Sequence, residues 1–254
     1  MSNRAAGPST AYSVKHHLKT AHALRLSSDF EQAYQLICQT ALSEPTLAPW
    51  LWMHDPRLWQ ELTSTRCTLT RRSGQDAEWM YELWHNAAFM RQFHRMAKRL
   101  PDDRQALHQL LDEERAALVA ENGALHWVIR NSTNETVGLL SILDINIQHR
   151  RGELLLGVVP GQWGVGPAAV CMAAQFFFGV LKFHKLVALV HEDNRLSMKT
   201  AMSLGFQLEG RLQDHFCDPT TGQFSALLAL GLRHSELLGG KDHRLIGRLM
   251  GSNL

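Results

Sequence analysis

The chain of 254 residues contains little cysteine and no long uninterrupted apolar run. Its four cysteines lie far apart and form no CxxC pair: Cys38, Cys67, Cys171 and Cys217. This spacing argues against a zinc site and a disulfide framework, and it fits a reducing compartment. The first residues, MSNRAAGPSTAYS, have no apolar segment typical of a secretory signal. Lysines or turn residues interrupt the longest apolar candidates, so we predict no membrane span and expect a cytoplasmic protein.

An excess of charge of one sign is also lacking, since 26 Lys and Arg residues stand against 24 Asp and Glu residues. The net charge of +2 excludes a strongly basic nucleic-acid binder and an acidic tail protein, so we expect neither nucleic acid nor a membrane as partner. Hydrophobic residues make up 45% of the chain and charged residues 20%, which argues against bulk disorder. The length suits one domain with an appendage, or two small domains.

The composition divides the chain into a flexible leader at 1–13, a helical extension at 14–62, a main domain at 63–235 and a tail at 236–254. The leader is rich in Ser, Gly, Ala and Pro. The extension has apolar residues at helical spacing between Phe30 and Ala41. It also carries three tryptophans, which we expect to pack against the main domain, with a partner surface as the alternative: Trp50, Trp52 and Trp59.

From Arg66 onward the pattern changes and predicts a strand, two helices, three strands, a helix, a strand, a helix and two strands. The helices are predicted at 74–96, 102–122, 168–183 and 196–204. Runs of strands interspersed with a few helices are typical of an α+β fold with a mixed, mostly antiparallel sheet. The central strand-helix-strand unit predicts two parallel strands joined by a right-handed crossover.

A predicted phosphate-binding loop follows one of these strands. The strand ends at Val159-Pro160, the loop spans Gly161–Gly166, and a helix starts near Pro167, where proline is well placed at a first helical position. The N–H groups of residues 163 to 168 are expected to face outward at the helix N-terminus. Together with the helix dipole, they predict an anion site.

Two nucleotide interpretations compete for this loop. Gly164-x-Gly166-x-x-Ala169 formally matches a dinucleotide-binding fingerprint, and Glu192 follows at about the spacing of a ribose-binding acid. However, extra residues separate the strand from the first glycine, too few strand-helix units remain for a doubly wound sheet, and the upstream strands do not alternate with helices. A Walker loop is excluded, because no GK[ST] follows.

Several motifs then occur in one order: the loop WGVGPA at 163–168, Asp193-Asn194, Ser197, LGF at 204–206 and Glu209-Gly210. With this order and spacing, the sequence resembles the GNAT superfamily of N-acetyltransferases from about Cys67 to Gly231. It is most similar to the branch that includes the ribosomal-protein N-terminal acetyltransferases. The resemblance implies a GNAT-like sheet that splays open at a bulge in the strand before the loop.

The resemblance also implies a bound acetyl-CoA and the residues that would hold it. Four residues of the strand would pair with the pantetheine arm: Leu156, Gly157, Val158 and Val159. Six residues of the loop would hold the pyrophosphate: Trp163, Gly164, Val165, Gly166, Pro167 and Ala168. Asn194 and Ser197 would lie beside the CoA arm. No metal is implied.

The chain departs from the family pattern at three positions. Trp163 replaces the usual Arg or Gln at the first loop position, and Pro167 removes one N–H donor. Ala201 stands where relatives often carry a tyrosine that protonates the leaving thiolate, which puts a tyrosine acid in doubt.

Acetylation of an amine requires a group that accepts the ammonium proton and an acid for the thiolate. Glu153 at the start of the splayed strand and His215 after Glu209-Gly210 are the candidate bases, and Ser197 is the candidate acid. Each has a simpler interpretation: Glu153 as an exposed strand-end carboxylate, His215 as a surface histidine, Ser197 as a residue bonded locally at a helix start. Asp144 and Asp214 are weaker candidates for an acid or a base. His184 and His191 flank a predicted buried strand, so we expect them to be structural residues.

The predicted function is therefore an acyl-CoA-dependent N-acyltransferase, most simply an acetyltransferase. The acceptor would be a primary amine on a protein N-terminus, an aminosugar or another small metabolite. Transfer would be direct in a ternary complex, because no cysteine or other nucleophile is suitably placed for an acyl-enzyme. The alternatives are transfer of a longer acyl group, or a catalytically weak module that binds acyl-CoA or a partner. A homodimer is possible with either function.

Overall fold

The computed structural model describes residues 8–90, 93, 101–218 and 221–239, and within them nine α-helices and eight strands form. The helices are α1 (Pro8–Leu26), α2 (Phe30–Ser43), α3 (Ala77–His85), α4 (Ala87–Met90), α5 (Arg104–Ala116), α6 (Val119–Asn122), α7 (Val165–Gln175), α8 (Arg195–Ser203) and α9 (His234–Gly239). The strands are β1 (Leu62–Thr63), β2 (Cys67–Arg71), β3 (Leu125–Asn131), β4 (Thr136–Asn146), β5 (Arg151–Val158), β6 (Lys185–His191), β7 (Gln207–Cys217) and β8 (Phe224–Arg233).

The eight strands form one sheet in the order β1-β2-β3-β4-β5-β6-β8-β7. Every neighbouring pair is antiparallel except β5 and β6, which are parallel and are joined through α7. The predicted α+β class, with a mixed and mostly antiparallel sheet, is therefore confirmed. The last two strands do not follow their order along the chain, because β8 lies between β6 and β7 in the sheet.

Helix α7 supplies the core on one face of the sheet. Its side chains are apolar and small on nearly every side, so it can lie close to the strands, and Ala168, Ala169 and Ala173 are fully buried. A π-helical turn, Phe176–Val180, extends it and buries Phe177. A second apolar cluster forms where side chains of α3, α4 and α5 pack against other residues of the same sheet, including Val128 and Leu139.

The N-terminal extension packs on the C-terminal end of α5. The indole Nε1 of Trp59 donates to the carbonyl of Arg115 at 2.6 Å, and Nε of Arg25 donates to the carbonyl of Ala116 at 2.6 Å. These carbonyls belong to the last turn of the helix, where the helix itself supplies no donor. Trp59 is buried and Trp52 packs edge-on against Phe183, as expected, whereas Trp50 is half-exposed.

Four predicted segments have other limits in the structure. Helix α1 begins at Pro8, inside the leader predicted at 1–13, and α9 continues to Gly239, inside the tail predicted at 236–254, whose residues from 240 onward lie outside the described ranges. The helix predicted at 74–96 breaks at Asn86, whose ψ of 93° is not helical, and most of its residues after Met90 lie outside the described ranges. The helix predicted at 102–122 ends at Ala116, because Ala117 adopts an extended ψ of 144°.

Candidate functional site

The parallel strands β5 and β6 separate after only three paired positions. Arg151 pairs with Lys185, and the last pair is Glu153 with Val187. Beyond that pair β6 continues along β8, while β5 stays on β4 as far as the pair Gly138–Val158. The gap that opens between the two strands is a cavity of about 410 Å³.

The predicted bulge lies in a different strand. The β4–β5 register runs without a break from Gly138–Val158 to Leu143–Glu153, so β5 contains no bulge at 156–159. The register shifts between Leu143 and Asn146 of β4, where Asp144 adopts a positive φ of 47°. The splay therefore follows from β6 leaving β5, and the expectation of a bulge in β5 was wrong.

The wall of the cavity is mostly apolar. It is formed by β5 with the following loop, the last residues of β6, and α8: Leu154–Val159, Pro160–Gly164, Gly166, Pro167, Val170, Ala188–His191, Asn194, Leu196, Ser197, Thr200, Ala201, Leu204 and Phe206, together with Phe93. Ten of the twelve residues predicted to bind the cofactor are among them. Val165 and Ala168 are the exceptions, because their side chains are buried beneath the loop.

The loop offers fewer open N–H groups than the sequence predicted. Three of its amides are already bonded: Trp163 to Gly161 at 3.2 Å, Val165 to Gln162 at 3.4 Å and Ala168 to Gly164 at 3.2 Å. The Ala168 bond is the first i to i+4 bond of α7. Within the described part of the chain, the amides of Gly164 and Gly166 have no backbone acceptor. Of the amides predicted to bind the anion, at residues 163 to 168, those of Gly164 and Gly166 are thus the open ones.

Gly164 is required by the backbone conformation of the loop, whereas a Cβ on Gly166 would meet its neighbours at ordinary contact distances. Gly164 has a φ of 78°, which L-residues with a side chain rarely adopt. A Cβ on Gly166 would lie 3.4 Å from Cδ2 of Leu156 and 3.7 Å from Cγ2 of Val158. An apolar channel that ends at two open amides and a helix N-terminus fits a ligand with an apolar arm and a phosphate. Acyl-CoA has this construction, so the residues fit the expected cofactor.

Helix α8 forms the opposite wall. Asn194 caps it, since its Oδ1 accepts the N–H of Ser197 at 3.0 Å. Ser197 lines the cavity as predicted, and Thr200 lines it beside Ala201. Thr200 was missed by the sequence analysis, although its position one turn after Ser197 places both hydroxyls near the same face.

The three predicted catalytic residues do not meet in one place. Glu153 is buried at the closed end of the gap and is not part of the cavity wall. His215 is exposed on β7, in the stretch between Leu212 and Phe216 where pairing with β8 is interrupted, and it also lies outside the wall. His191, which the sequence suggested to be structural, does line the cavity, and its ring packs edge-on against Phe216 at 4.6 Å.

A family model for the acetyltransferase (GNAT) domain matches residues 66–207. The chain belongs to this family. It is 26% identical over 157 residues to the "uncharacterized N-acetyltransferase YoaA" of Bacillus subtilis (strain 168), covering 61% of this chain and 86% of that protein. It is 29% identical over 118 residues to the spermidine N(1)-acetyltransferase of Escherichia coli (strain K12), covering 46% of this chain and 61% of that protein.

The fold is shared with a crystal structure of the spermidine N-acetyltransferase from Vibrio cholerae in complex with CoA and spermine. The TM-score is 0.58 at 21% sequence identity, over 68% of this chain and 98% of that chain. The predicted GNAT resemblance is confirmed, and the protein is an acetyl-CoA-dependent N-acetyltransferase. The finer resemblance to the ribosomal-protein branch stays a prediction.

No helix among the described residues is long and apolar enough to cross a membrane. No group of three or more His, Cys, Asp or Glu side chains that could hold a metal ion occurs in the described ranges.

Proposed function

We propose that this GNAT enzyme acetylates a molecule whose only positive charge at the site is the reacting primary amine, as in a protein N-terminus, an aminosugar or a small metabolite. The observation that supports this proposal is the chemistry of the cavity wall. Among its described residues there is no aspartate or glutamate, and His191 is the only titratable side chain. A polyamine such as spermidine carries several ammonium groups, and each one that loses water needs an anionic or polar partner.

The reaction itself follows from the donor. The amine nitrogen bonds to the acetyl carbonyl carbon, the carbon–sulfur bond breaks, the amine gives up a proton, and the thiolate takes one up. A direct transfer fits the cavity, because its described wall contains no cysteine that could carry the acetyl group.

His191 is the proposed proton acceptor. Histidine accepts protons near neutral pH, and a base must reach the amine directly or through one water. Residues 186, 188 and 190 of β6 pack into the core with α7, so strand alternation directs His191 to the other side of the gap. An amine that enters from that side meets the imidazole.

Ser197 and Thr200 are the proposed proton donors to the thiolate. Both hydroxyls lie on the wall that carries Ala201, the position that lacks the tyrosine expected from relatives. Either hydroxyl, alone or through water, can give a hydrogen bond to the sulfur.

Release of the CoA thiol, measured with a panel of amines, tests the acceptor. We expect turnover with single-amine acceptors such as N-terminal peptides or aminosugars, and weaker turnover with spermidine. A higher kcat/KM for spermidine than for every single-amine acceptor would contradict the proposal. Tight binding of acetyl-CoA without turnover on any amine would indicate a catalytically weak binding module, and faster transfer of propionyl than of acetyl would indicate a longer natural acyl group.

Three substitutions compare the candidate bases. We expect His191→Gln to lower kcat/KM by roughly 10²- to 10⁴-fold and to remove the lower limb of the pH–rate profile. Glu153→Gln and His215→Ala are the matched comparisons, since neither residue belongs to the cavity wall. An unchanged pH–rate profile in His191→Gln, together with a flattened profile in Glu153→Gln or His215→Ala, would identify the residue changed in that variant as the base.

A further inference from the structure

A second cavity, of about 350 Å³, borders the same loop. Three segments that are distant in the sequence form it, namely the turn before β2 with Arg66, the turn between β3 and β4 with Asn131 and Thr133, and the loop before α7 with Trp163. It shares Gly161, Gln162 and Trp163 with the first cavity. A long ligand that lies in the first cavity can therefore continue into the second.

Arg66 is the charged group in the wall of this second cavity. The backbone N–H of Arg66 donates to Oγ of Ser64 at 3.2 Å, which fixes the turn that carries the side chain. Its guanidinium forms no ion pair with any described residue, and its Nε lies 4.0 Å from the Cβ position of Gly164. The guanidinium thus lies beside the loop whose amides at Gly164 and Gly166 are open.

Trp163 provides an aromatic surface at the border between the two cavities. It is 86% exposed, although most of the surface of a tryptophan side chain is usually buried. In the described part of the chain its ring stacks on no other aromatic ring. Such an exposed indole next to a guanidinium is suited to a nucleobase joined to a phosphate, because bases stack on aromatic rings and phosphates pair with arginine.

We propose that the second cavity holds the nucleotide end of CoA, with Arg66 contacting a phosphate and Trp163 stacking on the adenine. The inference rests on the use of acetyl-CoA in the proposed function and adds the residues that bind its far end. The first loop position, where the family pattern has Arg or Gln, is Trp163 in this chain and carries no charge. Arg66, in the β1–β2 turn, supplies a positive charge beside the loop instead. Two residues of this cavity wall, Asn131 and Thr133, donate to the carboxylate of Glu135 at 2.9 Å and 2.8 Å, which holds the β3–β4 turn in place.

Calorimetric titration of the purified chain with CoA and with 3′-dephospho-CoA tests Arg66. We expect Arg66→Ala to weaken CoA binding about tenfold or more, the range for a lost charge-assisted hydrogen bond. A loss confined to CoA assigns the contact to the 3′-phosphate, whereas an equal loss for both ligands assigns it to the pyrophosphate. Arg151→Ala removes the same charge from an exposed residue at the far end of β5 and should leave both affinities unchanged.

Unchanged CoA affinity in Arg66→Ala, with the variant folded as judged by its Tm, would overturn the role of Arg66. Failure of the unsubstituted protein to bind CoA at all would instead remove the donor of the proposed function, and the inference with it. The two failures are therefore distinguishable.

Trp163 is tested with a ligand that has no adenine. We expect Trp163→Ala to weaken CoA and 3′-dephospho-CoA about tenfold, the order of one base stacked on an aromatic ring, and to leave 4′-phosphopantetheine unaffected. An equal loss for 4′-phosphopantetheine would show that the indole supports the loop and does not stack on the base, which would overturn this part of the proposal.

Discussion

Glu153 of β5 and Val187 of β6 form the last pair between the two parallel strands, and every residue beyond them on either strand borders an open gap. The two strands diverge there, while β6 stays paired with β8 along its other edge and β5 stays paired with β4 along its other edge. The site is thus built into the order of the sheet. Its polar features then come from the loop at the end of β5 and from the helix that follows β6.

Gly166→Glu is expected to abolish CoA binding. The new side chain would begin 3.4 Å from Leu156 and would place a negative charge beside the two open amides of the loop. Gly179→Glu is the matched control, since a Cβ there meets no atom within 4 Å and the residue is exposed outside the cavity. Titration calorimetry with CoA checks both variants. Binding of normal affinity in Gly166→Glu would show that the phosphates do not lie on this loop.

Trp59→Phe is expected to lower the free energy of unfolding by about 1–3 kcal/mol, the cost of leaving a part-buried carbonyl without its donor. The phenyl ring still faces Phe30, whose ring lies 4.7 Å from the indole, but it is smaller than the indole and lacks the N–H that donates to Arg115. Trp50→Phe is the control, because Trp50 is 47% exposed. Urea unfolding curves measure the difference, and equal midpoints for the two variants would contradict the role of Trp59.

The hydrogen bonds of Trp59 and Arg25 to the end of α5 predict that the N-terminal extension resists removal by proteases. Protease digestion should cut slowly before Thr63, since Trp59 and Arg25 both bind the end of α5. Rapid trimming to a fragment that starts near Thr63 and keeps full activity would show that the extension is not part of the stable fold.

Stability is expected to fall as the pH drops from about 6.5 to about 4. Burial, and then the charge of Arg25, lower the pKa of His54 to about 4. The unfolded chain, with an ordinary histidine pKa, binds a proton in this range that the folded chain does not, so acid favours unfolding. The difference is worth about 3 kcal/mol at most. His126 adds to the effect in the same direction, because burial also lowers its pKa.

His54→Gln isolates the contribution of His54, since an amide can accept a hydrogen bond from Arg25 without titrating. Its free energy of unfolding should depend less steeply on pH than that of the unsubstituted protein, as measured by urea unfolding between pH 4 and pH 7.5. Parallel curves for His54→Gln and the unsubstituted protein would contradict this assignment.

The succession of strands along the chain and the loop were predictable because their signals are local. Alternating apolar residues mark the strands, and Gly161, Gly164 and Pro167 mark the loop and the helix start. The break at Asn86 was not predictable, because apolar residues continue at helical spacing on both sides of it. Whether one helix or two short ones form is decided there by packing against the sheet.

The position of His191 in the cavity depends on tertiary structure. In the sequence it ends an apolar strand, which suggested a structural residue, and only the departure of β6 from β5 exposes it to the gap. Arg66 carried no signal either. It reaches the loop through a fold contact between residues about a hundred positions apart, and no local pattern encodes such a contact.

The central claim is that this cavity holds acetyl-CoA, and a thermal-shift measurement with acetyl-CoA and with NAD tests it most directly. At a concentration of one hundred times its Kd, a ligand that binds only the folded chain stabilises it by about 2.7 kcal/mol. We predict that acetyl-CoA raises the Tm in a concentration-dependent manner, and that NAD at the same concentrations leaves it unchanged. A rise with NAD and none with acetyl-CoA would contradict the account.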